Sequence, residues 1–485
     1  MKQQKSLKVN AILNITKTLM GLVFPLITFP YASRILMPEG LGKVNFALSI
    51  ISYFAIISSL GIENYGIREA AKLRDDKIQL SKFSKEIFMI NMISTIVAYA
   101  LLAVAIIFIP KFLEYRRLLI VSSATILFTT LGMNWLYSAV EDYLYITIRS
   151  IIFQVISLIL LFLLVHSKDD YVKYAAISVV SNVGSNILNF VHSRKYISFK
   201  IDKPLKFKKH LKPIMVLFAM AVAVKIYTVL DTTMIGFLKN DYEVGIYTAA
   251  TKINKIVLSL VVSIGTVLLP RLSYYSSMED KTEFYKLAYK GFDILLLIAL
   301  PSAVGLSLLS TSIVHLLSGN GYEAAILPMR IMNPIIVVIG LSNFIGIQMF
   351  MPLNKEKWTL YSVLVGAVVN FFINLFLIPI YGSVGASIAT LCAETTVTLT
   401  QLILLRRFLK INKIAKSLIK YFLNSVVMGV FIYACVRFIS VEWVELVIGV
   451  IVGVVVYILI LVIEKNELIY EVLTSIKNKI KKGVV

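Results

Sequence analysis

The chain is poor in the residues that soluble chemistry uses. Only two cysteines occur in 485 residues. Cys392 and Cys435 both sit in apolar stretches and form no CxxC pair, which argues against a disulfide framework or a thiol redox centre. Charged residues make up 16% of the chain, where a soluble protein carries about 25%. That is too few to solvate the surface of a soluble enzyme or a disordered chain. The four histidines, His166, His192, His210 and His315, are scattered near expected helix ends and make no constellation with cysteine or carboxylates. No metal or cofactor is expected. GxxxxGK[ST] is missing, and Gly40-Leu41-Gly42-Lys43 is a poor imitation of it, so ATP hydrolysis by this chain is not expected. HExxH and GxSxG are missing too. The longest outer segment, Ser310 to Leu327, is short, whereas a membrane-embedded glycosyl polymerase or ligase would carry a large outer loop. The chain therefore does not read as an enzyme.

What is present is apolar length. Hydrophobic residues make up 58% of the chain, and the mean hydropathy is +0.83. A spanning helix needs about 20 mainly apolar residues, and about 14 such stretches can be marked, the first near 10–36 and the last near 443–463. The fold class is all-α: a polytopic membrane protein with little chain left for any extramembrane domain. The first stretch follows Lys2, Lys5 and Lys8 like a signal peptide. It is too long, carries Lys17, and has no convincing small-residue cleavage site, so it is expected to be a retained helix.

The charge is one-sided, with 49 basic residues against 27 acidic ones and a net charge of +22. About 34 of the basic residues fall in one set of alternate connecting segments and about 10 in the other, which places both termini in the cytoplasm. Most of the net charge is then a topology signal lying against anionic inner-leaflet lipid, and no nucleic-acid partner is expected.

Two parts of the chain echo each other. Gly42-Lys43-Val44-Asn45-Phe46-Ala47 opens one span, and Gly245-Ile246-Tyr247-Thr248-Ala249-Ala250 opens another six spans later. Tyr174 to Lys195 similarly resembles Gly385 to Arg407. The expected organisation is an N-lobe over 1–192, a basic cytoplasmic linker over 193–212, a C-lobe over 213–405, and a helix pair with a basic tail over 406–485. Six spans between copies make a parallel repeat, with a site expected between the halves.

Polar residues recur at helical spacing inside the apolar runs. Asn10, Asn14, Lys17 and Gly21 form one stripe, and Ser362, Gly366, Asn370 and Asn374 form another. Small and polar residues of this kind also serve as helix–helix glue. The charges favour a cavity, since each buried ionisable group costs about 2.5–3.5 kcal/mol on insertion scales. Lys225, Lys252, Lys255 and Asp231 lie deep in their spans, and Lys17 is nearer an end. Arg34 stands where the first span meets the outer surface, as a headgroup anchor, a partner of Glu39 or the rim of the cavity. Lys17, Lys225, Lys252, Lys255, Arg34, Asn14, Asn370 and Asn374 are the candidate substrate-binding residues. Asp231, Asp293 and Glu394 are candidate ion-coupling or structural acids. A net positive cavity lined by hydroxyls and amides suits an anion with a large polar body: paired lysines for phosphate, Ser, Thr and Asn for sugars.

Several segments resemble bacterial polysaccharide flippases of the Wzx type. They are Pro25-Leu26-Ile27-Thr28-Phe29-Pro30-Tyr31-Ala32-Ser33-Arg34, Pro38-Glu39-Gly40-Leu41-Gly42, and Tyr65-Gly66-Ile67-Arg68-Glu69. Leu269-Pro270-Arg271-Leu272 and Ile378-Pro379-Ile380-Tyr381-Gly382 extend the pattern. The resemblance implies the multidrug/oligosaccharidyl-lipid/polysaccharide exporter superfamily, with two six-helix lobes in a V around a cationic cavity and alternating access. It implies flipping of undecaprenyl-pyrophosphate-linked oligosaccharide repeat units for surface polysaccharide (O-antigen, capsule, exopolysaccharide) in the bacterial cytoplasmic membrane. The implied partners are that lipid-linked substrate, membrane lipids, a polysaccharide polymerase and other assembly proteins, with the chain itself a monomer. In some relatives a helix pair after the two lobes makes a groove for the polyprenyl tail. Gly449 and Gly453 could pack such a pair here, and simple lipid-facing packing is the alternative. Rival readings are a lipid II or teichoic-acid-precursor flippase and a cation-coupled drug exporter, whose cavity would be acidic.

Overall fold

The computed structural model describes the backbone of residues 7–200 and 204–470, and the side chains of these except 7–15, 17–19, 22 and 264. Among the described residues there are helices and turns and no strand. The chain divides into two compact units, Met1–Gly245 and Ile246–Val485.

The first unit holds α1 (Leu7–Ser59), α2 (Ile62–Leu73), α3 (Lys77–Phe108), α4 (Pro110–Glu114), α5 (Arg116–Gly132), α6 (Asn134–Ala139) and α7 (Tyr143–Leu164). After these come α8 (Tyr171–Val179), a π-turn at Val180–Gly184, α9 (Asn186–His192) and α10 (Lys208–Leu238). The unit ends in the first residues of α11 (Asp241–Ser276). The second unit continues α11 and adds α12 (Thr282–Leu308), α13 (Ser310–Ser318), α14 (Ile326–Met332), α15 (Ile335–Asn343), α16 (Glu356–Leu405), α17 (Ile411–Val436) and α18 (Glu442–Ile463). The unit boundary falls beyond the basic segment 193–212 because α10 packs along α1 and α2.

Ten helices among the described residues are long and apolar enough to cross a membrane. Two of them are broken. α1 leaves helical geometry at Met37 (φ 57°), and α16 does so at Gly382 (φ 56°). Gly382 suits the left-handed region, which a side chain disfavours. Beyond it the backbone folds back closely enough that a Cβ on Gly385 would sit 2.5 Å from the Leu377 carbonyl oxygen. Glu323–Met332 and Ile335–Phe350 pass together as a bent pair, and Tyr171–His192 is a helical stretch interrupted by the π-turn. By length and composition the described residues thus give 10 membrane-spanning helices, or 11 with the bent pair, against about 14 stretches expected from the sequence; the difference lies in the broken α1 and α16 and the interrupted segment Tyr171–His192.

Local sequence sets the helix ends. Asp76 caps α3, accepting from the backbone N–H groups of Ile78 (2.9 Å) and Gln79 (3.0 Å). Pro110 opens α4, where its missing N–H costs nothing. Inside the first unit, hydroxyls join three helices. Ser58 meets Thr95 at 2.7 Å and Thr130 at 3.1 Å, and Asn91 and Ser94 both donate to the Ser58 carbonyl. In lipid, where apolar burial gives little drive for helix association, such bonds and close packing hold helices together.

The echoed glycines meet each other. A Cβ on Gly42 would collide with the Asp241 carbonyl, and one on Gly245 would collide with the Pro38 carbonyl. Asp241 follows Pro38 by the same interval as Gly245 follows Gly42 (241 − 38 = 245 − 42 = 203). The contact is thus reciprocal between the two echoed segments, and only glycine permits it at either position. Nearby, the Tyr115 hydroxyl donates to the Asp241 carboxylate and the Lys111 ammonium to the Gly236 carbonyl.

Candidate functional site

The candidate residues fall on four long helices, α1, α10, α11 and α16, with Asp293 on α12. Asn14 and Lys17 lie on α1 but outside the residues whose side chains are described. Arg34 is exposed one turn before the break in α1, and its guanidinium donates back to the Pro30 carbonyl at 2.8 Å. Lys225 is half-buried on α10. Asp231, farther along the same helix, is buried where α10 packs on the second half of α1. Two positions on, Thr233 donates to Ser49 (3.1 Å) and Tyr53 (3.2 Å) of α1.

In the second unit Lys252 is half-buried and Lys255 exposed, one turn apart on α11. The Tyr247 hydroxyl pairs with Thr390 at 3.1 Å, tying the start of α11 to the second half of α16. Glu394 lies one turn after Thr390 and is half-buried. The first half of α16 differs. Its stripe Ser362, Gly366, Asn370 and Asn374 is fully buried, and Asn374 donates to Asn370 at 3.1 Å while Gln401 donates to Ser362 at 3.0 Å. This stripe closes the two halves of α16 on each other. Asp293 is half-buried at the edge of a cavity of about 610 Å³ with Lys286, Tyr289, Lys413, Lys416 and Ser417.

Sequence reasoning passed over one group. Glu86, on α3, is fully buried and accepts from His210 (2.8 Å), Lys209 (3.1 Å) and the Lys206 backbone (2.7 Å). His210 in turn shares a 2.7 Å hydrogen bond with Tyr65. The partners lie more than a hundred positions apart, so no local spacing betrayed them. The cluster fastens the start of α10 to α2 and α3. Gly449 and Gly453, which the sequence singled out as packing a helix pair, border an apolar groove of about 570 Å³ in the second unit, lined also by Pro301, Gly305, Met428 and Ile432. Gly449 abuts Leu309 and Gly453 abuts Ile432, so these glycines let α18 approach closely while the groove stays open beside them. No group of three or more His, Cys, Asp or Glu side chains among the described residues could hold a metal ion.

A bundle of long apolar helices carrying lysines and carboxylates within them defines a polytopic membrane protein built around polar intramembrane groups. The chain belongs to the polysaccharide biosynthesis protein family, whose model matches residues 7–276. A second family model, MatE, matches residues 216–376. A protein of Shigella dysenteriae described as "Putative O-antigen transporter" is 25% identical over 391 residues, covering 78% of this chain and 95% of that one. A protein of the same description from Escherichia coli is 23% identical over 387 residues, covering 79% and 93%. Among solved structures, the lipid II flippase MurJ in an inward closed conformation superposes with a TM-score of 0.73 at 20% identity, over 95% of this chain and 99% of that one. At that identity the likeness shows the fold.

Proposed function

We propose that this protein flips undecaprenyl-pyrophosphate-linked oligosaccharide repeat units from the cytoplasmic to the outer leaflet of the bacterial cytoplasmic membrane, with both termini cytoplasmic. The observation that carries this reading is the set of cationic side chains, Lys225, Lys252 and Lys255, kept inside apolar helices in a chain of a polysaccharide biosynthesis family. Each such charge costs about 2.5–3.5 kcal/mol to insert, and an anionic ligand offsets that cost. The relatives named as O-antigen transporters support an oligosaccharide cargo over a drug.

In this mechanism the lysines take the pyrophosphate as point charges, and neighbouring hydroxyls and amides take the sugars. The apolar groove beside α18 receives the polyprenyl tail, whose CH₂ groups each favour burial by about 0.8 kcal/mol relative to water. Access then alternates between the two sides. An inside-negative potential assists, since a headgroup of charge near −2 gains about 4–5 kcal/mol per 100 mV on moving outward. Asp231, Asp293 and Glu394 are the groups through which a proton or cation would couple. The work is transport, and the polymerase that consumes the flipped unit is a separate protein.

The test is the double substitution Lys252→Ala with Lys255→Ala in the native host. Surface polymer should disappear, and lipid-linked repeat units should accumulate on the cytoplasmic face while the protein remains in the membrane. Normal polymer in that strain would overturn the assignment of these lysines. Normal polymer with raised drug sensitivity on deletion of the whole gene would overturn the cargo.

A further inference from the structure

A separate cavity of about 460 Å³ opens in the first unit, between α7 and α9. Its position follows from the π-turn at Val180–Gly184. A π-turn interrupts the regular backbone ladder and leaves carbonyls in need of donors. Arg149, one position after the exposed Ile148 on α7, supplies one: its guanidinium donates to the Ser185 carbonyl at 2.8 Å and reaches the Asn186 side chain at 3.3 Å. Arg149 is only 7% exposed, and its Nε nitrogen has no hydrogen-bond partner. An arginine buried this far with a donor unused is costly unless something else meets it.

The same cavity gathers more cationic groups. Lys195 lines it and is exposed. His192 lines it too, stacked on Tyr145 with ring centroids 3.9 Å apart, and its Nε2 makes no hydrogen bond. The one acid, Asp142, accepts from Tyr196 at 2.6 Å and lies 3.8 Å from His192 Nε2. Arg149 and Lys195 outnumber Asp142 in the lining, so the cavity keeps a net positive charge.

The rest of the lining is apolar and faces outward. Leu144, Ile148, Ile152 and Leu188 are 41–50% exposed. Asp142, His192 and Lys195 stand at the end nearest the basic segment that begins at Arg194, with Leu144 beside them, and Ile148, Arg149 and Ile152 follow along α7. Arg149 is six residues past the start of α7, about 9 Å along the helix axis, which matches the depth of the headgroup–acyl boundary. A cationic end at that depth with an apolar strip below it has the charge and polarity of an anionic glycerophospholipid.

We infer that this cavity binds the phosphate headgroup of an anionic phospholipid of the cytoplasmic leaflet, with its acyl chains along Ile148 and Ile152. Arg149 and Lys195 meet the phosphodiester, and the Tyr145–His192 stack forms the wall. The site is independent of the cargo lysines, so its failure and theirs are separable.

The experiment uses the full-length protein in detergent, with native mass spectrometry and thermal unfolding as readouts. Dioleoyl phosphatidylglycerol should be retained about tenfold more tightly than dioleoyl phosphatidylcholine, a factor readable by either method. Arg149→Gln should abolish the preference. Because that variant also loses the Ser185 contact and could fail to fold, Lys195→Ala with His192→Gln serves beside it and should reduce the preference at least about threefold. Lys413→Ala with Lys416→Ala, a basic surface elsewhere, should leave it unchanged. An undiminished preference in the Lys195/His192 variant would overturn the site, and an equal loss in the Lys413/Lys416 variant would reduce it to diffuse charge. Inorganic phosphate protecting as well as the lipid would overturn the lipid assignment. Preferential retention of undecaprenyl pyrophosphate at the same residues would also overturn it, in favour of the cargo.

Discussion

Asn370 and Asn374 on α16, and Lys252 and Lys255 on α11, are both polar pairs one helical turn apart in apolar helices. The asparagines are fully buried and bonded to each other. The lysines are half-buried and exposed, and carry like charges one helical turn apart in an apolar helix. The first pair is packed and bonded within its own helix, and the second has the exposure a ligand site needs. Spacing alone does not separate the two, whereas charge and exposure do.

The largest effect expected from this contrast is on the lysines. Two charge-assisted contacts of about 1.5–3 kcal/mol each imply that Lys252→Ala with Lys255→Ala slows flipping at least about a hundredfold, read as surface polymer per molecule of protein, with the melting temperature unchanged. A parallel fall in melting temperature would erase the contrast. Next is the buried Glu86 cluster, where Glu86→Ala strands His210 and should lower unfolding stability by about 3 kcal/mol, measured by denaturation in detergent. Smaller still is Asn374→Ala, which should cost about 0.6–1.7 kcal/mol of stability and leave flipping within about twofold. If flipping fell as far as in the lysine variant, the α16 stripe would belong to the site.

The smallest effect concerns a polar group outside the spans. Asp170 accepts from Lys173 and from the backbone N–H groups of His166 and Ser167, and these hold its carboxyl below the usual carboxylate range. A depressed folded value means the stabilisation is complete above the unfolded value of about 3.9 and fades only as pH falls through the folded one. Amide protection at His166 and Ser167, corrected for intrinsic exchange, should therefore be the same at pH 7 and pH 5. A loss between those values would show that the carboxyl is not held this way.

Much of the architecture could be read from the chain because a bilayer imposes a length and a composition on every crossing. The interruptions were unevenly visible. The break at Met37 falls where the first expected span ends, just before Pro38, which disfavours helical geometry at the residue preceding it, whereas the π-turn at Val180–Gly184 lies in an ordinary apolar run. Lys225, Lys252 and Lys255 stood out because charge is rare in such segments. Arg149 has the same signature, yet its meaning depends on the Ser185 carbonyl and the cavity beside it. Glu86 and His210 could not be joined by spacing, since they are separated by 124 positions.

The sequence by itself determined that this is a helical membrane protein, which family pattern it carries and which charges stand in apolar runs. Those properties follow from the cost of putting each residue type into hydrocarbon, a cost that acts on every segment separately. Tertiary structure decided which polar groups satisfy one another and which stay available, where Gly42 and Gly245 let backbones meet, and where grooves remain open. Those outcomes depend on which helices become neighbours, and hydrogen bonding and close packing act only between groups that folding has brought within a few ångströms.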